Sequence, residues 1–162
     1  MLKADYYYES IYTMDFGQIR DESIRHLLID FDNTLVKHGS ISLDERATKL
    51  LEGLETLGFD YYIFSNAKSK RLQKIIEISK LPYIKSPQKP LPFAINAFVK
   101  AKGLSKSEVA VIGDQVFTDL LAGKMAGVKT ILVNPLYKEE PGQIKFKRFL
   151  EGPFRKNTDN NL

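Results

Sequence analysis

No cysteine occurs in the 162 residues. That absence removes disulfide cross-links, thiolate nucleophiles and cysteine-ligated zinc or iron–sulfur centres together, and it fits a reducing compartment. Long hydrophobic runs are missing too. No stretch approaches the ~20 apolar residues of a membrane span, and Met1 to Tyr12 mixes charges with tyrosines instead of forming the apolar core of a signal peptide. The chain is therefore expected to be soluble, unsecreted and cytoplasmic. Internal repeats and low-complexity segments are lacking as well.

What is present is ordinary globular composition, 43% hydrophobic and 27% charged, in a length that suits one domain able to bury a core without cross-links. The formal charge of +4 is unevenly spread. Between residues 138 and 156, Lys138, Lys145, Lys147, Arg148, Arg155 and Lys156 are set against Glu139, Glu140 and Glu151. These cations interleave with Ile144, Phe146, Phe149, Leu150 and Phe154, a pattern suited to a terminal helix docked on the domain or to peripheral contact with an anionic membrane. Three regions follow within a single domain 1–162: an arm over 1–24 packed on the core, a core over 25–135, and a basic segment over 136–162.

In the arm, Gly17 is expected to break the chain before a turn or short helix over Gln18–Ser23. The core opens on Leu27-Leu28-Ile29, an apolar run that reads as a strand buried on both faces and stops on Asp30 and Asp32. Ser42 or Asp44 then caps a helix with Leu43, Ala47, Leu50, Leu51, Leu54 and Leu57 on one face, closed by Gly58. Phe59–Phe64 is a second strand ending on Ser65-Asn66. Lys68–Lys80 carries Leu72, Ile75, Ile76 and Ile78 at near-helical spacing before Pro82, and Tyr83-Ile84 allows a short strand. Helix 93–102, strand 109–112 ending on Gly113-Asp114, helix 117–126 and strand 130–133 complete the chain. Strands alternate with helices throughout. The fold class is α/β, a three-layer sandwich with a mostly parallel sheet and right-handed crossovers.

In such a sheet the strand ends share one edge, where open α/β sheets hold ligands. Asp30, Asp32, Ser65, Asn66, Asp114 and the loop residue Lys89 converge there. Carboxylates from separate strands suit a magnesium ion, which recruits a substrate phosphate more readily than it enters an all-protein cage. With a lysine and a hydroxyl beside it, the set suits a phosphoryl group. One aspartate can attack phosphorus while the other protonates the leaving oxygen and later activates water. Taken singly, each residue has a plainer role, since strand-end serine and aspartate also cap helices.

Asp30-Phe31-Asp32-Asn33-Thr34 resembles motif I of the haloacid dehalogenase-like (HAD) phosphatases, Asp-x-Asp-x-Thr. Ser65, Lys89 before Pro90, and Gly113-Asp114 with Asp119 resemble motifs II, III and IV in the same order. The flanks, from Glu9-Ser10-Ile11-Tyr12 to Gly113-Asp114-Gln115-Val116-Phe117-Thr118-Asp119, are similar to the bacterial YqeG subfamily of capless subclass IIIA enzymes, itself similar to mitochondrial phosphatidylglycerophosphate phosphatases. The resemblance implies a Rossmann-like HAD core and an aspartyl-phosphate mechanism. Asp30 would be nucleophile and Mg²⁺ ligand, and Asp32 acid/base and a ligand through its main-chain carbonyl. Ser65, with Asn66, would bind the phosphoryl group, Lys89 would steady it and the nucleophile, and Asp114 would complete the metal site. Asp119 would support the site from behind, or simply act as a first-turn helix acid.

Spacing sharpens the substrate class. Thirty-two residues lie between Asp32 and Ser65, filled by a loop, a helix and a strand, so no cap domain fits. This economy resembles the capless subclass III HAD enzymes, and the resemblance implies an open site for bulky phosphomonoesters, with phosphatidylglycerophosphate leading and a phosphoprotein or nucleotide as alternatives. A binding module that contacts RNA or protein through the basic segment is the reading from a different class, and the set of polar catalytic residues argues against it. His38, just past motif I, is placed as a solvent-facing loop residue able to touch substrate, and His26 as structural.

Overall fold

The computed structural model describes residues 2–66 and 69–137, together with Gly152. The hydrophobic and basic positions singled out beyond Tyr137 lie outside the described residues. Five strands, β1 (Tyr6–Tyr8), β2 (His26–Ile29), β3 (Asp60–Ile63), β4 (Val109–Gly113) and β5 (Lys129–Val133), form one sheet in the order β1-β5-β4-β2-β3. Every pairing is parallel. The helices are α1 (Phe16–Asp21), α2 (Glu45–Thr56), α3 (Lys70–Ile78), α4 (Phe93–Lys102) and α5 (Leu121–Ala126). No helix among the described residues is long and apolar enough to cross a membrane.

The pleat explains the apolar runs. Leu27 and Ile29 of β2, with Ala110 and Ile112 of β4, pack against Ile19 of α1, Leu51 and Leu54 of α2, and Leu72 and Ile75 of α3. Leu28, Val109 and Val111 point the other way, onto Ile95 and Val99 of α4 and Ala122 and Ala126 of α5. Both faces are therefore covered, as a parallel sheet requires. Leu27, Leu28 and Ile29 are fully buried, each contributing about 1.5–3 kcal/mol as an upper estimate.

Four local outcomes differ from the sequence reading. The arm supplies a strand: Tyr6–Tyr8 pair with Ile131–Val133 of β5 at the sheet edge, anchored by Asp5, whose Oδ2 accepts from Thr130 N at 2.8 Å, Thr130 Oγ1 at 2.7 Å and Lys124 Nζ at 2.9 Å. Gly17 lies inside α1, because Asp15 caps that helix one residue earlier by accepting from Gln18 N. Tyr83 makes only an isolated bridge to Ile63. Ile78 sits at the last position of α3 and is 70% exposed, since the core-facing stripe of that helix is already filled by Leu72 and Ile75. Of the two caps open to α2 in the sequence, Asp44 is the one that serves, accepting from Ala47 N at 2.7 Å, which agrees with that reading.

Candidate active site

The site begins where β2 leaves the sheet. Asp30 still donates its N–H to Ile112 O, but its side chain is free of the ladder. Phe31 turns into the core, fully buried, which throws Asp30 and Asp32 to the opposite side of the chain. Asn33 then adopts φ 63°, a left-handed conformation that Asn tolerates better than most residues. The loop closes as Leu35 and Val36 donate to Phe31 O. Its outside is held by two distant segments: Tyr12 donates its hydroxyl to Leu35 O, and Leu136 donates its N–H to Asn33 O at 2.9 Å. Burial pushes the Tyr12 phenol up to about 12, so the hydroxyl stays a donor.

Lys89 is buried, with Nζ 2.6 Å from Asp30 Oδ1 and 2.5 Å from Asp119 Oδ1. Asn66 sets its position by a reciprocal clasp, accepting from Lys89 N and donating to Lys89 O, both at 2.8 Å. The amide expected to bind phosphate is thus also the fixture that aims the lysine. Asp114 is completely buried and accepts from Thr34 Oγ1 at 3.1 Å. Asp119 lies in a wide π-type turn over Val116–Leu120, where Oδ2 accepts from Gln115 N at 3.1 Å while Oδ1 meets Lys89. Gly113 makes room for it: a Cβ there would stand 2.2 Å from Asp119 Cγ.

The electrostatics follow from three buried carboxylates sharing one ammonium. Burial pushes the Asp30 carboxyl well above the usual range; Lys89 opposes the rise, and Asp119 and Asp114 add to it. Burial alone would depress the Lys89 ammonium, but Asp119 and Asp30 outweigh it and hold its value above normal. Lys89 therefore remains charged. Ligand atoms of Asp30, Asp114 and Asp119 lie within 4.8 Å of one another, a hard-oxygen set suited to a divalent cation, which would relieve the mutual repulsion that raises Asp30.

The structure brings Asp30, Lys89, Asp114 and Asp119 together and leaves the Asp32 carboxylate outside that cluster. Both Asp32 oxygens accept from Arg71 Nη2, at 2.9 and 2.6 Å, while Arg71 Nη1 donates to Ser40 O at 2.6 Å. Gly39 N also donates to Asp32 Oδ1 at 3.2 Å, and His38 Nδ1 stands 3.9 Å from the same oxygen. Ser65 sits one residue past the buried Phe64 at the end of β3, on the same edge as Asp30. Arg71 went unrecognised in the sequence, where Lys70-Arg71 reads as the solvated start of a helix. Thr34 carried a signal, as the last residue of the first motif.

A family model described as HAD-hydrolase-like matches residues 87–135, the stretch that contains Lys89, Asp114 and Asp119. The probable phosphatase YqeG of Bacillus subtilis is 29% identical over 147 residues, covering 91% of this chain and 86% of that protein. Over most of its length the chain is thus similar to a HAD-like phosphatase. Phosphatidylglycerophosphate phosphatase 1 of Arabidopsis thaliana, chloroplastic/mitochondrial, is 28% identical over 151 residues. That match covers 85% of this chain and 42% of the plant protein, so the chain spans less than half of that relative's length. Among solved structures, the cobalt-bound deoxy-D-mannose-octulosonate 8-phosphate phosphatase of Haemophilus influenzae superposes with a TM-score of 0.54 at 18% identity, covering 78% of this chain and 75% of that one. At that identity the likeness concerns the fold, a parallel sheet with helices on both faces.

Proposed function

We propose that this chain hydrolyses a phosphomonoester through an aspartyl-phosphate on Asp30, with Mg²⁺ as cofactor and phosphatidylglycerophosphate as leading substrate. The observation that carries the reading is the buried contact of Lys89 with Asp30 and Asp119. Holding an ammonium and several carboxylates out of water costs several kcal/mol per ion, as an order of magnitude. A cage for phosphoryl transfer accounts for that cost. An Asp30 oxygen bonds to phosphorus as the bond to the ester oxygen breaks, and Asp32 gives its proton to the departing alkoxide. Water deprotonated by Asp32 then attacks phosphorus, releasing inorganic phosphate and returning the Asp30 carboxylate. Arg71, gripping Asp32, governs where that proton is delivered. Lys89 and Ser65 take charge from the non-bridging oxygens, and Asp119 keeps Lys89 in place.

Asp30, Asp114 and the Asp32 carbonyl would hold Mg²⁺, which would supply charge neutralisation at the phosphoryl oxygens when bound. Asp119, whose carboxylate shares the cluster, is the further donor within reach. The names of the two relatives support phosphatase chemistry and, for the plant protein, a lipid phosphate. One helix between β2 and β3, and two short ones between β3 and β4, support a capless site open to bulky substrates. Phosphoproteins and nucleotides are the alternative substrates. Peripheral contact with an anionic membrane through the basic C-terminal segment, at the cytoplasmic face, fits a lipid substrate. RNA or protein binding through the basic segment without catalysis is disfavoured by the buried cage.

Phosphate release from a lipid phosphate, a phosphopeptide, nucleotides and a chromogenic monoester, with and without Mg²⁺, tests the reading. Activity is expected to need the cation and to fall by a factor on the order of 10³ or more in Asp30→Asn. Retention of wild-type rates by that variant would remove Asp30 as nucleophile.

A further inference from the structure

Beside the cage, between α3 and residues 83–88, lies a groove of about 550 Å³, within the range of small-molecule sites. Ser65 and Asn66 form one end of it, and Pro87 and Gln88 form part of a wall. Both pairs adjoin the phosphate-handling residues directly: Asn66 clasps Lys89, and Gln88 precedes it in the chain. The groove thus ends on residues that adjoin the cage, Ser65 and Asn66 on one side and Gln88 on the other.

Its lining is informative about what leaves. Ile63, Leu72, Ile76, Tyr83 and Ile84 supply apolar walls, with Gln73 and Ser86 as neutral polar points. No Lys, Arg, Asp or Glu lines it among the described residues, although charged residues make up 27% of the chain. Even Lys85, within the flanking segment, is not part of the wall. A phosphate or carboxylate placed inside the groove would find no partner there and would be desolvated at a cost, so any charged portion of the leaving group lies outside it. A flexible alkyl portion gains from each methylene buried.

We propose that this groove is a subsite for the leaving alcohol, and that it takes an alkyl portion of that alcohol. The proposal rests on the phosphomonoesterase reading and specifies its substrate class. The test measures binding of uncleavable n-alkyl phosphonates, ethyl to octyl, to the full chain in the presence of Mg²⁺ by calorimetry. Affinity is expected to rise roughly twofold or more per added methylene. Gln73→Glu and Tyr83→Glu place a charge on the groove wall at exposed positions, so folding is retained, as thermal melting will show. Both are expected to flatten the chain-length dependence at least tenfold at octyl. Equal affinity for ethyl and octyl phosphonate, or a dependence unchanged in both variants, would overturn the proposal. Phosphate release from ethyl phosphate by the wild type separates the two readings. Hydrolysis with a flat dependence removes the groove and keeps the phosphatase mechanism. No hydrolysis with a steep dependence removes the mechanism and keeps the groove.

Discussion

Gly113→Ala is the smallest change that tests the cage. The added Cβ would lie 2.2 Å from Asp119 Cγ and 2.4 Å from its Cβ and Oδ2. Ordinary contact begins near 3.4 Å, so Asp119 must withdraw by roughly 1.2 Å or β4 must shift. Overpacking of this kind costs about 1–3 kcal/mol. Withdrawal also loosens the charge-assisted bond from Lys89 and the one from Gln115 N, so a total near 2–4 kcal/mol is reasonable. For a domain of this size that corresponds to a fall in Tm of roughly 5–15 °C. Lys89 would lose the anchor that aims it at Asp30, and misplacement by about 1 Å costs on the order of 10²-fold in rate. Thermal melting and monoester hydrolysis read both effects. A double-mutant cycle with Asp119→Gly isolates the contact, because the Gly113→Ala penalty is expected to shrink when the obstructing side chain is gone. A Gly113→Ala protein with wild-type Tm and rate would refute the close approach of β4 to Asp119.

Asn66→Ala removes both bonds that hold the Lys89 main chain and is expected to lower kcat about 10-fold or more while costing ~1–2 kcal/mol of stability; a wild-type kcat would show that the loop needs no clasp. Arg71→Gln should lower kcat through the release of Asp32 and leave thermal stability within about 1 kcal/mol, since the pair is partly exposed; the profile of kcat against leaving-group pKa should steepen, and an unchanged profile would separate Arg71 from proton delivery. Burial tends to raise the Asp5 carboxyl, but hydrogen bonds from Lys124 and Thr130 outweigh it and lower its value below 3.8. The unfolded chain therefore binds the proton first as pH falls, and the Asp5 contribution is present near neutrality and lost below about pH 4. Asp5→Asn is expected to destabilise at pH 7 and to differ less from wild type near pH 3; denaturant melts giving an equal difference at both values would refute this.

Periodicity made most of the sheet legible because β2 and β4 are buried on both faces, so their apolar runs carry the signal without help from neighbours. The turns that follow such strands bear Asp30, Ser65 and Asp114, and parallel pairing alone places those ends on one edge. β1 was not legible for the opposite reason. Tyr6–Tyr8 are only half-buried, and their pairing depends on a strand some 125 residues away. Ile78 misled because spacing cannot tell where a helix outruns the sheet beneath it. Arg71 was hidden because its partner is chosen by the fold of the loop carrying Ser40. The double use of Asn66 needed the Lys89 main chain to be in place.

Pairing of β1 with β5 also bears on the order of assembly. Among the described strands β1 precedes all the others and its partner β5 follows them, so Tyr6–Tyr8 must wait for that partner while β2, β3 and β4 come together during synthesis. Closing a chain of that length costs about 4 kcal/mol in entropy, repaid only when Asp5 finds Thr130 and Lys124. The sheet edge is therefore the step that registers completion of the described sheet: a nascent polypeptide stopped short of Lys129 could build the middle strands yet would leave Tyr6–Tyr8 unpaired.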